Sequence, residues 1–303
     1  MLVIQQEKLK IKMKIGLIGF GYWGKIIFNN FLKLGYDDIV ICDKIDIINQ
    51  NLLKKISYES DYRKIECDKV FIVVPTKEHY EIVKYFLNKG VDVFCEKPLT
   101  LNYETSKELY ALAKQNSCDL FVDWIFTFNP QIMRLKKLME FNDLNCKNII
   151  FNRLNFGPER YDVNAVLDLA SHDISILSYL FEEDPININW LNFKRNRTSI
   201  QNDSTVGIIE YKNFTAQINA SWYYGEKYRK SFFEFDKGFI YWDDKDQILD
   251  INFNIKNDYS ININNTPLEM SILSFIKNNV KFNQTELTLR IQKIIEKGND
   301  SKF

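Results

Sequence analysis

Behind an apolar run that opens at Met13 comes Gly19-Phe20-Gly21-Tyr22-Trp23-Gly24, and few patterns restrict the fold of a chain as much. The stretch predicts a strand, a tight glycine turn and the first turn of a helix. The Gly19, Gly21, Gly24 spacing in that context is the fingerprint of a dinucleotide-binding turn. Gly19 makes the turn, Gly21 lets the backbone approach a pyrophosphate, and Gly24 lets the helix sit close to the strand. The pyrophosphate would then rest on N–H groups at the helix N-terminus. Glycine turns also follow strands for purely structural reasons. Here, however, a second strand over residues 38–43 ends in Asp43. That carboxylate lies about 20 residues beyond the fingerprint, where an acid gripping the adenosine ribose belongs.

Strand and helix keep alternating through the first half. A helix over residues 25–34 ends at Gly35, a natural C-cap, and the strand ending at Asp43 follows. The pattern then predicts a helix at 46–56, a strand at 69–74 stopped by Pro75, and a helix at 79–88. A strand at 91–95, a helix at 103–115 and a strand at 118–122 complete the series. Short β-branched strands between helices imply a parallel sheet covered on both faces.

After residue 122 the pattern changes. Helices are expected at 130–141 and 164–181, then strands at 186–193, 205–211, 214–222, 230–235 and 239–242, then helices at 267–278 and 285–297. The turn signals Lys212-Asn213 and Lys237-Gly238 suggest hairpins, so this second sheet is expected to be largely antiparallel. The expected fold class is α/β: a dinucleotide-binding domain over 13–122 and an α+β domain over 123–303. Aromatic residues such as Phe232, Phe233 and Phe235 read as core or subunit interface rather than as ligand stacking.

Charge excludes several classes of function. Forty basic residues balance 40 acidic ones, which argues against a nucleic-acid binder or a protein lying on an anionic membrane. No apolar run reaches membrane-spanning length. Residues 1–12 carry lysines after the apolar start and no small-residue cleavage site, so no signal peptide is expected. Five cysteines without a C-x-x-C pair, and only two histidines, make a structural zinc site improbable and suit a reducing, cytoplasmic setting.

Ligands of open parallel sheets bind beyond the carboxyl ends of the strands. The glycine turn, the Val74-Pro75-Thr76 loop and Cys95-Glu96-Lys97-Pro98 should therefore meet. Lys97 reads either as a solvated loop lysine or, fixed between a strand end and a proline, as a cation aimed at the cleft. In the second reading it polarises an oxygen whose carbon gives up hydride. Asp168 and His172 lie one turn apart on a predicted helix, so both project from one face. A neutral imidazole there can take a hydroxyl proton, and Asp168 can fix its tautomer or hold a neighbouring hydroxyl. The bland reading makes His172 a satisfied core or surface residue. Asp173 projects further round and reads as solvated or capping.

The glycine fingerprint, Glu96-Lys97-Pro98 and Asp168-x-x-x-His172, in this order, resemble the glucose–fructose oxidoreductase, inositol dehydrogenase and rhizopine-catabolism (Gfo/Idh/MocA) family over nearly the whole chain from Met13. The resemblance implies a Rossmann domain followed by a domain whose open sheet builds a homodimer or homotetramer. It implies catalytic roles for Lys97, His172 and Asp168, with Pro98 in a position often cis. It implies NAD as cofactor, with Gly19, Phe20, Gly21, Tyr22, Trp23, Gly24, Asp43, Pro75, Thr76, His79, Glu96 and Lys97 binding it. A 2′-phosphate would meet Asp43, which favours NAD over NADP, although Lys44 follows directly.

The stretch Asn155-Phe156-Gly157-Pro158-Glu159-Arg160-Tyr161-Asp162-Val163-Asn164, running into the His172 helix, resembles the branch acting on nucleotide-linked sugars. That branch oxidises the 3-hydroxyl of a UDP-N-acetylhexosamine or its uronic acid, for later amination by a pyridoxal-phosphate-dependent sugar aminotransferase. The implied setting is lipopolysaccharide or lipid A sugar biosynthesis. Arg153, Arg160 and Asn164, with Lys97, Asp168 and His172, would line the substrate side. An arginine fork suits a diphosphate or a carboxylate, while the alternative for both arginines is ordinary strand or loop charge. Two departures stand out. Ser175 replaces an aspartate of polyol-oxidising relatives, and Asp123-Trp124 occupies a region where nucleotide-sugar relatives carry histidine. Free-sugar or inositol oxidation, keto-sugar reduction and an NAD-bound regulatory role are the rival readings.

Overall fold

The computed structural model describes residues 13–45, 56–157, 163–255, 261 and 264–300. The first sheet contains β1 (Ile15–Ile18), β2 (Ile39–Cys42), β3 (Ile56–Glu59), β4 (Lys69–Ile72), β5 (Asp92–Cys95) and β6 (Leu120–Val122). All its pairings are parallel, in the order β3-β2-β1-β4-β5-β6. The order reverses between β1 and β4, and the crevice at such a switch point is where a dinucleotide lies. Helices α1 (Tyr22–Leu34), α2 (Thr76–Asn88) and α3 (Tyr103–Gln115) are the crossovers.

The second half supplies α4 (Pro130–Asn142), β7 (Cys146–Phe156), α5 (Ser171–Phe181), β8 (Asn187–Phe193), β9 (Ser204–Glu210), β10 (Thr215–Ser221), β11 (Tyr223–Phe235), β12 (Gly238–Asp243) and β13 (Ile248–Asn252). Helices α6 (Pro267–Ile276) and α7 (Gln284–Asp300) follow. The second sheet runs β13-β12-β11-β7-β10-β9-β8. Every pairing is antiparallel except β7 with β10, so the sheet is largely antiparallel as the turn signals imply.

Several expected elements move. Residues 46–55 of the expected helix lie outside the described residues, and Ile56 opens strand β3 instead. The second-domain strands gain β13 and, at their centre, β7, whose alternation of buried and half-buried positions is masked by its asparagines and Arg153. The helix expected from Asn164 begins as a π-helical turn at Val166–Ala170 and becomes α-helical only at Ser171. Such turns concentrate at functional sites.

Core packing ties the two halves together. Phe71, Phe94 and Phe121 from β4, β5 and β6 form a row with centroid spacings of 4.5 and 5.1 Å. Phe275 of α6 lies on all three at 5.3, 5.7 and 5.8 Å, so a helix late in the chain covers the first sheet. Helix α7 binds both halves, since Thr288 accepts from Trp124 Nε1 at 3.0 Å and from Tyr110 Oη at 2.9 Å. Among the described residues no helix is long and apolar enough to cross a membrane.

Candidate active site

The glycine turn has the geometry that its spacing predicts. Gly19 has φ +98°, and a Cβ there would lie 2.6 Å from Val73 O; at Gly24 a Cβ would collide with Gly19 O. Both positions therefore demand glycine. Gly21, the N-cap of α1, has open space where a Cβ would be and offers no side-chain cap, so that helix end is not closed by its own residues. A pyrophosphate fits such an end. Asp43, just past β2, accepts from Phe20 N at 2.7 Å through Oδ2 and from Ile45 N at 3.0 Å through Oδ1. It thus braces the turn, and a carboxylate has lone pairs left for ribose hydroxyls. Lys44 Nζ is drawn to Glu78 Oε2 at 2.5 Å, away from the carboxylate beside it.

The loops after β4 and β5 are bolted to each other by His79. Its Nδ1 lies 2.9 Å from Pro98 O and its Nε2 2.8 Å from Val74 O, with the side chain almost wholly buried. Burial holds this imidazole below its ordinary pKa. His79 therefore serves the two loops from behind, with both ring nitrogens engaged by the protein. Pro75 caps α2 and Thr76 opens it, buried. Glu96 accepts from Trp23 Nε1 and from its neighbour Lys97 N at 3.2 Å, linking the glycine turn to the β5 loop. Burial, with the nearby Asp123 carboxylate, pushes Glu96 above the usual carboxylate range. Tyr22 is largely exposed.

The Lys97-Pro98 bond is cis. Lys97 Nζ donates to Asp168 O at 2.8 Å and lies 3.6 Å from Asp168 Oδ1, with 13% of the side chain exposed. Trp222 Nε1 donates to the other oxygen, Asp168 Oδ2, at 3.0 Å. The lysine is thus held across the crevice between the two sheets, and the solvated-loop reading fails. His172 is half-buried, its ring 5.1 Å from that of Phe126 in edge geometry. Its Nδ1 is buried and has no hydrogen-bond partner among the described residues. Burial first, then the charges of Lys97, Arg153 and Arg229, hold the imidazole well below its ordinary pKa. It is therefore neutral at pH 7, the form that can accept a proton.

Arg153 departs from the substrate-lining expectation. Its Nε and Nη2 donate to Asp173 Oδ1 at 3.0 and 2.6 Å, and both side chains are buried. Its guanidinium also lies over Phe126, 4.4 Å from the ring centroid. Asp173 is thus neither solvated nor capping: β7 and α5 meet here, and only a paired charge tolerates that burial. Arg160 lies outside the described residues. Asn164 caps the π turn, accepting from Leu167 N at 3.0 Å. Ser175 Oγ donates back to His172 O at 2.6 Å. Asp123, also buried, accepts from Ser271 Oγ at 2.6 Å. Sequence reasoning missed Trp222 and Phe126, since neither belongs to a motif, and only the topology brings them to Asp168 and His172.

Residues 13–124 match an oxidoreductase family described as having an NAD-binding Rossmann fold. The chain is 26% identical over 225 residues to an inositol 2-dehydrogenase/D-chiro-inositol 3-dehydrogenase of Lactiplantibacillus plantarum, covering 68% of this chain and 64% of that one. It is 24% identical over 184 residues to a UDP-N-acetylglucosamine 3-dehydrogenase of Acidithiobacillus ferrooxidans, covering 59% and 57%. The chain thus spans somewhat over half the length of these curated relatives. In fold, it superposes on the structure of the Acidithiobacillus enzyme with a TM-score of 0.80 at 20% identity, over 93% of this chain and 95% of that one. It superposes on a myo-inositol 2-dehydrogenase from Lactobacillus plantarum with a TM-score of 0.76 at 15% identity, over 95% and 97%. The glycine turn and the family match agree: residues 13–124 form the NAD-binding Rossmann fold of the Gfo/Idh/MocA oxidoreductase family.

Proposed function

We propose that the protein is an NAD-dependent dehydrogenase that oxidises a secondary alcohol of a sugar, with the 3-hydroxyl of a UDP-N-acetylhexosamine as its substrate. The observation that carries the reading is the contact of Lys97, at the carboxyl end of the parallel sheet, with Asp168, one turn before a neutral His172. When bound, NAD supplies the hydride acceptor. His172 takes the hydroxyl proton. Lys97 holds the oxygen from which that proton leaves, its ammonium stabilising the negative charge that develops there. Asp168, fixed by Trp222, keeps Lys97 in place and is available to a neighbouring hydroxyl. Glu96 and Trp23 join the β5 loop to the glycine turn, and so set the spacing between Lys97 and the cofactor crevice.

The nucleotide-sugar reading is supported by the 155–164 stretch, by Ser175 in place of a carboxylate, and by likeness to a UDP-N-acetylglucosamine 3-dehydrogenase. The second reading, an inositol or free-sugar dehydrogenase, is favoured by the likeness to inositol dehydrogenases. With the first reading go a sugar aminotransferase as pathway partner, lipopolysaccharide biosynthesis, a cytoplasmic location and a homodimer or homotetramer. The test follows NADH absorbance with UDP-N-acetylglucosamine, its uronic acid and myo-inositol, with an aminotransferase and amino donor drawing the reaction forward. A 3-amino product establishes the nucleotide-sugar reading. Turnover of myo-inositol alone replaces it with the second, and tight NAD binding without any turnover leaves a regulatory protein.

A further inference from the structure

Arg153 and Arg229 are direct cross-strand partners on β7 and β11. Directly opposed residues project to the same face of a sheet, and like charges in that position repel. Here that face is the one packed on α5, because Arg153 reaches Asp173. The two arginines are used differently. Arg153 is buried and bound closely by Asp173, whereas Arg229 keeps 28% of its side chain exposed and touches Asp244 only at 3.5 Å. Each has one buried guanidinium nitrogen without a partner among the described residues, Nη1 of Arg153 and Nε of Arg229, so exposure and the looser ion pair are what set Arg229 apart. Arg229 also follows a break in the β7–β11 register between Tyr223 and Tyr228, and such irregularities re-aim side chains beside active sites. Trp222, which holds Asp168, stands at the start of the same break. Arg153, the direct partner of Arg229, lies over Phe126, whose ring is 5.1 Å from that of His172, so the arginine pair lies beside the imidazole.

We infer that Arg229 is a specificity-determining residue: it receives an anionic group, carboxylate or phosphate, on the substrate that His172 acts upon. Asp244 holds the guanidinium in waiting, and Arg153, neutralised by Asp173, is the wall behind it. The inference rests on the proposed reading for what lies beside His172, but it moves anion recognition from Arg153 to the strand opposite. A planar fork with donors to spare suits an oxyanion.

Equilibrium binding separates the two claims, because it needs no turnover. With NAD present, the affinities of UDP, glucuronate and uncharged myo-inositol would be measured by calorimetry for the wild type, Arg229→Gln and Arg229→Lys. Arg229→Gln should weaken one anionic probe by about 10- to 100-fold and leave myo-inositol and NAD binding unchanged, with Arg229→Lys recovering part of the loss. A loss confined to UDP identifies the nucleotide phosphates, and one confined to glucuronate identifies a ring carboxylate. Unchanged affinity for both anions, equal weakening of all three probes, or a wild type that binds neither anion overturns the assignment. Should Arg229→Gln not fold, Asp244→Asn provides the second arm. It releases Arg229 and should tighten the anionic probe several-fold, and no tightening overturns the assignment equally.

Discussion

Trp222 donates its indole N–H to Asp168 Oδ2 at 3.0 Å, so a strand end of the second sheet fixes the carboxylate that faces Lys97. A hydrogen bond to a charged group contributes about 1.5–3 kcal/mol. Trp222→Phe keeps an aromatic ring in the core but removes the indole donor that fixes Asp168 Oδ2. We expect kcat to fall about 10- to 100-fold with NAD affinity unchanged, as read by steady-state kinetics beside a fluorescence titration. An unchanged kcat would remove Asp168 from the positioning of Lys97.

Lys97 is the residue on which the proposed chemistry depends most directly. Lys97→Ala should lower kcat by about 100- to 10,000-fold, the range for loss of a positioned proton-transfer or charge-stabilising group. The glycine turn and Asp43 are untouched, so NAD should bind nearly as before. Loss of NAD binding in a folded variant would show that Lys97 serves the cofactor and not the substrate.

Burial and three cationic neighbours hold His172 well below the ordinary imidazole pKa of about 6.5, so protonation sets in only at lower pH. The acid limb of kcat/KM, which reports the free enzyme, should therefore fall below pH 6.5. An acid limb above that value would mean that another group is the base.

Much of this is legible in the sequence. The glycine spacing dictates where a strand, a turn and a helix must lie, because a Cβ at Gly19 or Gly24 has nowhere to go. The glycine turn, the Val74–Thr76 loop and the Glu96-Lys97-Pro98 loop likewise meet where the strand ends predict, joined by Trp23 with Glu96 and by His79. What was not legible depends on long-range pairing. Strand β7 carries an arginine at an inward position, and Asp173 from α5, with the Phe126 ring, makes that burial tolerable. The Arg153–Arg229 opposition needs the β7–β11 register, and the π turn at Val166–Ala170 is invisible to a period-3.6 reading. His79 looks like a polar helix opener until the two carbonyls that enclose it are in place.

Glu96 provides a test through stability. Its pKa is raised by burial and by Asp123, so its protonated form stabilises the fold at low pH, and that contribution is lost as pH rises through the elevated value. Glu96→Gln imitates the protonated form and keeps an oxygen for Trp23. The melting temperature of Glu96→Gln relative to the wild type should therefore climb between pH 5 and pH 8.5. A difference that stays flat with pH would mean that the carboxyl is ionised throughout.

The Arg153–Asp173 pair decides whether Arg153 is structural. Removing one member of a buried pair strands the other charge and costs about 3–5 kcal/mol, whereas replacing both with apolar residues of similar volume is far less harmful. Arg153→Met and Asp173→Leu should each destabilise strongly in urea, and the double variant should recover much of the loss. Single-variant costs that simply add would show that the charges act independently. Strong recovery in the double variant, with anion binding retained, would place Arg153 in the scaffold and leave Arg229 as the arginine that meets the ligand.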